Sequence, residues 1–529
     1  MITLLVALLV WLPVTVLAEA PTVMAPSSPT PARTAPLTIE EVLAKIELTH
    51  PLLRATGLER AQARAKVMKA LAAWEPKLLN DLEYDRYQTY NLTNVVGTNT
   101  LGAGYNDTKL KVGHPWGWEI FAGLRNGYGD RSTIGGADGV RTQRYLSPGV
   151  AIPQDLQGFF PTQMIIVGGA FNVLRGFMMN PEFAELQQAE ISKPQAEVKV
   201  AKKRQELFLA GAVQYWDWQV AVKQAEVQRQ ALVVAEDRFA QVNGRAKAGA
   251  VALLDAVEAE QEVQRRREVA IAAQRQVEYE QYKLSLFLWE NGEPVTPMPE
   301  WAPEFTGETP LPTAEEIAEA KEAAIEDRPE VRELAIEVQM NAVQLKLAKN
   351  NLLPKLTVSG GPVTGGIYYF GGFAYHWGAL FSMPLFNREA RGQVTYAEAQ
   401  QERLHYELLH AEQSASLDVD NWLSAIVRAR DRVRAATESY RLAKALETGE
   451  RTRFSMGATN ILFVNMRERN AVEAAYDLYR AQYEYVLARG GFLWAKGALS
   501  KPIAEAVLTK YGDPSVSAGA SGQKMEGRD

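Results

Sequence analysis

Cysteine is missing from all 529 residues. Disulfides, thiolate nucleophiles, Cys-ligated metals and a lipidated N-terminal cysteine are thereby excluded. Histidine is scarce: His50, His114, His376, His405 and His410 show no metal spacing, and the last two, five apart, diverge around a helix. Basic charge is not in excess, with 57 Lys and Arg against 63 Asp and Glu and a net charge of −6. That balance argues against a large nucleic-acid footprint, and the run Arg265-Arg266-Arg267 reads as a solvated helix face. Beyond the N-terminus, no stretch approaches the ~20 apolar residues of a spanning helix. If the mature chain meets a membrane, it does so through β-strands or its surface. No Ser/His/Asp arrangement stands out, and Gly360-Gly361 and Gly365-Gly366 open no helix, so a phosphate loop or an enzyme has little support. No cofactor is implied.

What is present begins with an apolar run over residues 2–18, followed by small residues suited to a signal-peptidase cut. Residues 1–20 read as a secretory signal, although no Lys or Arg precedes the run; an N-terminal anchor is the alternative. Residues 21–36, rich in Pro, Ser and Thr, read as a flexible leader, and residues 498–529 as a C-terminal tail. With 47% hydrophobic residues the chain can fill several cores.

The longest helical signal runs from Gln393 to Trp494, broken once at Phe454–Asn460. Val419, Trp422, Ile426, Ala429, Val433, Ala436, Tyr440 and Ala443 alternate by three and four, the stride of a coiled-coil seam. A second hairpin starts at Pro181, with Val213, Val220, Val227 and Val234 seven apart, breaks at Asn243–Ala250 and returns to Trp289. Each break holds Gly followed by Ala (Gly249-Ala250, Gly457-Ala458), then Leu253-Leu254 or Ile461-Leu462. Gly supplies the positive φ that a tight turn between long helices needs.

The rest of the chain is duplicated in the same order. Thr38 and Glu41, and again Thr313 and Glu316, have capping-box spacing. Helices after Pro51 and Pro329 each end before a Pro-Lys-Leu, at Pro76 and Pro354. The first repeat covers residues 37–290, a Pro-rich linker 291–312, and the second repeat 313–497. After each Pro-Lys-Leu the period changes to two. Leu82 and Tyr84 alternate with Asp81, Glu83 and Asp85; Ile165, Val167 and Phe171 with Ile166 and Ala170; Trp377, Ala379 and Phe381 with Gly378 and Leu380. Such strands suit a soluble sandwich or a transmembrane barrel. Four strands cannot close a membrane barrel, and open edges are not tolerated in lipid, so spanning strands would require several chains to share one barrel. Residues 90–160 form a long insert in which Trp116, Trp118, Ile120, Ala122 and Leu124 alternate, either as a further strand or within an external loop. Asp81, Glu83 and Asp85 could bind a hard cation, but a wet barrel lumen explains them more simply.

At this point the chain resembles the TolC-like outer-membrane efflux proteins. Met383-Pro384-Leu385-Phe386-Asn387 is similar to that family's strand-to-helix junction, and Val173-Leu174-Arg175-Gly176 to the equivalent junction in the first repeat. Arg453-Phe454-Ser455-Met456-Gly457 is similar to its hairpin tip. The resemblance implies a mainly α fold with a transmembrane β part: long hairpins forming a periplasmic α-barrel, and four strands per chain in a trimeric, twelve-stranded outer-membrane barrel. It also implies a homotrimer passing substrates outward, in contact with outer-membrane lipid, with a periplasmic adaptor and an inner-membrane transporter at the tips, and no catalysis. The competing readings are a periplasmic adaptor, which usually has one hairpin between β halves, and a coiled-coil scaffold. The tip residues so implicated are Gly249, Asp255, Arg453, Phe454, Gly457, Thr459 and Phe463. Relatives carry a Tyr and an Arg where Phe454 and Thr459 stand, so closure is expected to rest on apolar packing by Phe454 and Phe463. Glu447, Glu450, Arg451 and Arg453 stand nearby as alternatives to that Tyr and Arg, but tip charges are expected first as solvated helix ends, where exposed pairs contribute little.

Overall fold

The computed structural model describes residues 35–90, 98–129, 162–305, 307, 310–364, 374–505, 507 and 508. The expected signal, nearly all of the leader, residues 91–97 and 130–160 of the insert, and the end of the tail lie outside them.

Three short helices come first. In α1 (Ile39–Thr49) the Thr38 hydroxyl accepts a hydrogen bond from the Glu41 N–H at 3.4 Å. The single helix expected after Pro51 is two, α2 (Pro51–Gly57) and α3 (Glu59–Leu71). Gly57 weakens the helix there, and the Leu58 N–H bonds back to Ala55 in a tighter turn.

The strands are β1 (Lys77–Tyr90), β2 (Thr98–His114), β3 (Trp118–Gly129) and β4 (Thr162–Asn172) in the first half, then β5 (Lys355–Thr364) and β6 (Ala374–Ser382). All six form one antiparallel sheet in chain order. The expectation of four strands per chain is thus corrected: the insert supplies two more. Its alternation at Trp118–Leu124 is a true strand period, and a tight turn makes the hairpin possible. The Gly117 N–H bonds to the His114 carbonyl at 3.0 Å, with Gly117 at φ +82.

Directly opposed residues share a face of a sheet. Leu78 opposes Leu110, Leu110 opposes Ala122, and Ala122 opposes Val167. Phe171 opposes Val358, which opposes Ala379. One face therefore carries Leu78, Leu82, Leu110, Ile120, Leu124, Ile165, Val167, Phe171, Val358, Trp377 and Phe381, all exposed. The other carries Asp81, Asp107, Lys109, Lys111, Glu119, Ser359 and Ser382. Gly361, two residues after Ser359, lies on this face as well, and a Cβ there would sit 2.0 Å from the Val167 carbonyl oxygen.

The long hairpins are α4 (Pro181–Lys247) with α5 (Leu253–Ser285), and α8 (Arg388–Ser455) with α9 (Ile461–Ala495). Between them lie α6 (Ala314–Asp327), opened by the Thr313/Glu316 capping box, and α7 (Pro329–Asn351). With 67 residues, α4 is about 100 Å long. The return arms are about half that, so α3 packs beside the remainder of α4 through Val67, Ala70 and Ala189. Likewise α7 lies beside α8, where the Asn341 Nδ2 donates to the Ala397 carbonyl at 3.0 Å.

On α8 the expected seam holds: Val419, Ile426 and Ala429 are buried, while Trp422, Val433, Ala436, Tyr440 and Ala443 are half-buried. On α4 the heptad valines are only half-buried, beside a fully buried row of Tyr215, Trp218 and Ala221. This helix is covered by α1 and the linker as well as by its return arm, so its buried stripe is broader than a coiled-coil seam.

Two cores sit midway along the hairpins. In the first, Leu37, Val42 and Ile46 pack on Phe208, Tyr215 and Trp218, with Trp301 of the linker and Leu499 and Ile503 beyond the second hairpin. Part of the expected tail is therefore packed structure: the Arg204 Nη1 donates to the Ser500 carbonyl at 2.9 Å. In the second core α6 packs on α8 and α9. Gly490 and Gly491 leave room for Trp216 and Trp422.

Polar side chains on α4 are tied to several of its neighbours. Arg204 bonds Glu47 at 2.7 Å, Gln214 bonds Glu280 at 2.5 Å, and Gln219 bonds the Pro303 carbonyl at 3.0 Å. Further along, Gln228 donates to the Tyr476 hydroxyl at 3.1 Å and Arg238 to Glu468.

Candidate functional site: hairpin tips and strand-to-helix junctions

Both long helices stop by the same backbone device. At the end of α4 the Ala250 N–H bonds to Arg245 at 2.9 Å and the Gly249 N–H to Ala246 at 3.0 Å. At the end of α8 the Ala458 N–H bonds to Arg453 at 2.8 Å and the Gly457 N–H to Phe454 at 3.0 Å. This nested pair is the Schellman motif, which satisfies the last helical carbonyls and requires a left-handed residue. Gly249 and Gly457 both have φ +74 with open space where a Cβ would stand, so the need for glycine is conformational. Each return helix begins four residues later. The Asn460 side chain caps α9, accepting from the Phe463 N–H at 3.2 Å. Asp255 lies in the first turn of α5, at the positive end of the helix dipole. Thr459 is half-buried just before the Asn460 cap.

The tips meet through an apolar cluster. Val242 of α4, Ala259 of α5 and Ile461 of α9 are buried together, with Phe239, Val251, Ala256 and Phe454 around them. Phe454 is thus placed in the contact between hairpins. Phe463 is not; it is 50% exposed in the single chain. Leu253, Leu254 and Leu462 are also exposed.

Behind this cluster lies a layer of charge. Glu468 of α9 accepts from Arg238 of α4 and, at 3.0 Å, from Arg451 of α8. Arg451 also pairs with Glu447 at 2.5 Å, and Lys444 with Glu447 at 2.8 Å. Glu262 of α5 receives Arg266 at 2.9 Å and Arg469 of α9 at 3.2 Å. Two expectations are corrected here. Glu447 and Glu450 are buried rather than solvated, and so is Arg266, while Arg265 and Arg267 do face water. The reason is that four helices converge at this level, so a residue facing inward has a neighbour on each side. Arg453 remains 62% exposed, paired with Glu450 at 3.3 Å. Sequence reasoning missed Arg238, Glu262 and Glu468. The i,i+4 spacing of Glu262 with Arg266 was a usable signal. Arg238 and Glu468, 230 residues apart, offered none.

At the other end, β6 leaves the sheet through Met383, Pro384, Leu385 and Phe386, with Leu385 93% and Phe386 68% exposed. Asn387, at φ +49, turns the chain into α8, and its Nδ2 donates to the Leu352 carbonyl at 2.9 Å. In the first half the Phe177 N–H bonds to the Leu174 carbonyl at 3.1 Å, and Asn180 caps α4, accepting from the Phe183 N–H at 2.7 Å. Both junctions lean on the turn from α7 into β5: beside the Asn387 bond to Leu352, the Gly176 N–H donates to Asn350 Oδ1 at 2.8 Å and the Val173 N–H to the Leu356 carbonyl at 2.9 Å. Asp81 lies directly opposite Asp107. No group of three or more potential metal ligands is found among the described residues.

Residues 321–493 match the family model described as outer membrane efflux protein. Over these residues the chain is similar to that family. The fold extends the likeness to the rest. The CmeC outer membrane channel of Campylobacter jejuni superposes with a TM-score of 0.60 at 13% identity, covering 92% of this chain and 88% of that one. A membrane protein from Pseudomonas aeruginosa gives 0.61 at 17% identity, covering 90% and 99%. The outer membrane protein VceC of Vibrio cholerae gives 0.60 at 14% identity, covering 87% and 96%. A comparison with curated protein sequences finds no match.

Proposed function

We propose that this protein is an outer-membrane channel-tunnel of a tripartite export system. Three copies form the channel, its sheets closing a barrel in the outer membrane and its hairpins a tunnel through the periplasm. The observation that carries this reading is a sheet whose exposed apolar side chains lie mostly on one face and whose charges lie on the other, joined end to end with helices about 100 Å long. Such a sheet matches lipid on one side and water on the other. Two hairpins, each following strands of that sheet, favour a channel over an adaptor. The protein moves cargo rather than transforming it. An inner-membrane pump loads the tunnel, and a periplasmic adaptor docks on the tips, where Leu253, Leu254 and Leu462 are exposed.

Closure at the tip rests on the apolar cluster holding Phe454, backed by the charged layer around Glu468; Asp255, Arg453, Thr459 and Phe463 belong to the same tip. Leu174, Pro384, Leu385 and Phe386 seat the helices at the membrane boundary. The test is outer-membrane fractionation with heat-modifiable trimer migration, followed by conductance of Phe454→Ala and Phe463→Ala channels. Trimers with raised conductance on loss of Phe454 are expected. Recovery as a soluble periplasmic monomer refutes the channel, and unchanged conductance refutes the role of Phe454.

A further inference from the structure

The hairpin β2–β3 is an addition to the sheet, and its placement bears on the width of the pore. We infer that each copy contributes all six strands to the shared barrel, so that three copies close an eighteen-stranded wall in which β1 of one copy pairs with β6 of the next. This rests on the trimeric channel proposed above.

Four observations carry it. First, β2 and β3 lie between β1 and β4, with ladders on both sides; β1 and β4 do not touch. A hairpin hung outside the barrel would leave β1 free to pair with β4. Second, the inserted strands keep the alternation of their neighbours. Leu110, Ile120 and Leu124 join the apolar face, while Lys109, Lys111 and Glu119 join the charged one, where Lys111 and Glu119 pair at 2.6 Å. An appendage in water has no need of the exposed apolar side chains at Leu110, Ile120 and Leu124, although Asn80, Asn106 and Thr108, hydrogen-bonded together at 2.8 Å, interrupt that face. Third, β2 and β3 have 17 and 12 residues, enough for the ~9–11 that cross a bilayer. Fourth, the turn between them is built into the junction with α4. The Asn180 Nδ2 donates to the Pro115 carbonyl at 2.9 Å, and the Asn172 N–H to the Gly117 carbonyl at 3.0 Å. A Cβ on Gly117 would stand 2.2 Å from the Gly176 carbonyl oxygen, so the fit is close. His114 stacks on Trp118 with ring centroids 4.5 Å apart, beside exposed Trp116, placing aromatics at the strand ends as an interfacial belt does.

The occupant of the free edges is a second copy of this chain. β1 leaves the helical end and β6 returns to it, so pairing between copies is antiparallel like the rest of the sheet. Leu78 and Leu82 on one edge then continue the apolar face of Trp377 and Phe381 on the other. Lipid tolerates no open edge, and only such pairing removes both. Barrel diameter grows roughly linearly with strand number, so at equal tilt this pore is about 1.5-fold wider than one built from four strands per copy, with about twofold the cross-section.

The chain has no cysteine, so paired cysteines report strand neighbours without background. In the full-length protein assembled in outer membranes, Leu78→Cys with Leu110→Cys and Ala122→Cys with Val167→Cys occupy opposed positions, and a short thiol crosslinker is expected to join each pair. Leu78→Cys with Val167→Cys, which become neighbours only if the hairpin leaves the wall, is expected to crosslink at least about tenfold less, given Cβ separations near 5 Å for opposed residues. Strand count by electron microscopy of the wild-type trimer is expected to be eighteen. A trimer that crosslinks Leu78→Cys to Val167→Cys, or shows twelve strands, overturns the inference and leaves the channel standing. Absence of an outer-membrane trimer overturns both.

Discussion

Glu468→Gln isolates the charged layer behind the tip. Arg238 and Glu468 have side chains only 8% and 7% exposed, and the Arg238 Nε and Nη2 find no hydrogen-bond partner among the described residues. Glu468 is therefore the acceptor on which that guanidinium depends. Gln keeps the volume and one acceptor oxygen but removes the charge, leaving a buried cation uncompensated. Breaking a buried pair from one side costs about 3–5 kcal/mol, whereas replacing both partners by apolar residues is often neutral. Arg451 suffers less, because it is 38% exposed and keeps Glu447. The single variant is expected to lower the denaturation midpoint of the detergent-solubilised protein and to raise its conductance, since α4 and α9 lose their link at the tip. Arg238→Met/Glu468→Leu is expected to recover most of the lost stability. A Glu468→Gln protein that melts with the wild type, or a double variant as damaged as the sum of the singles, refutes the reasoning.

Two glycines on the long helices are expected to respond oppositely to alanine. Gly449→Ala meets nothing within 4 Å and gains helix propensity of about 1 kcal/mol, whereas Gly491→Ala puts a Cβ 2.4 Å from the Trp422 ring; overpacking of about 1–3 kcal/mol should outweigh the same gain in thermal melts. Gly249→Ala and Gly457→Ala should each cost about 1–2 kcal/mol by the left-handed backbone alone, readable as lowered midpoints, with Asn at either site costing less. His50 caps α2, its Nδ1 accepting from the Leu52 N–H at 3.3 Å, and burial lowers its pKa, opposed in part by a hydrogen bond to the Leu286 backbone. The unfolded chain therefore binds more protons just below the ordinary value of about 6.5, so this contribution is complete above that pH and is lost as pH falls through the lowered native value. Melts from pH 8 to 5 should show that loss, and His50→Asn, a cap that does not titrate, should flatten it.

The helical architecture was legible because long helices repeat their signal many times. The seam from Val419 to Ala443 could be read residue by residue, and the Gly-Ala pairs marked both turns. The strands were legible where one face is strictly apolar, as at Ile165–Phe171. Strands β2 and β3 were half hidden because Gly, Asn, Asp and Thr, the composition of a loop, also line a wet lumen. Phe454 could be named from its place before Gly457, but Phe463, one turn into α9, looks equally apolar and points away from the cluster. Contacts between hairpins, such as Arg238 with Glu468 or Trp216 over Gly490, join residues far apart in sequence. No local period encodes them.

The polar ties along α4 limit how a wall made from such helices can move. Arg204, Gln214, Gln219, Gln228 and Arg238 meet partners on α1, α5, the linker and α9 at successive levels. Sliding one helix past another by a single turn, about 5.4 Å, would strand all of these groups at once, whereas a purely apolar seam would simply re-engage. Lengthwise telescoping is thereby locked out. What stays cheap is a change of curvature or a swing about the equatorial cores that leaves each rung in register. Helices tied this way can bend or swing together, but they cannot slide past one another.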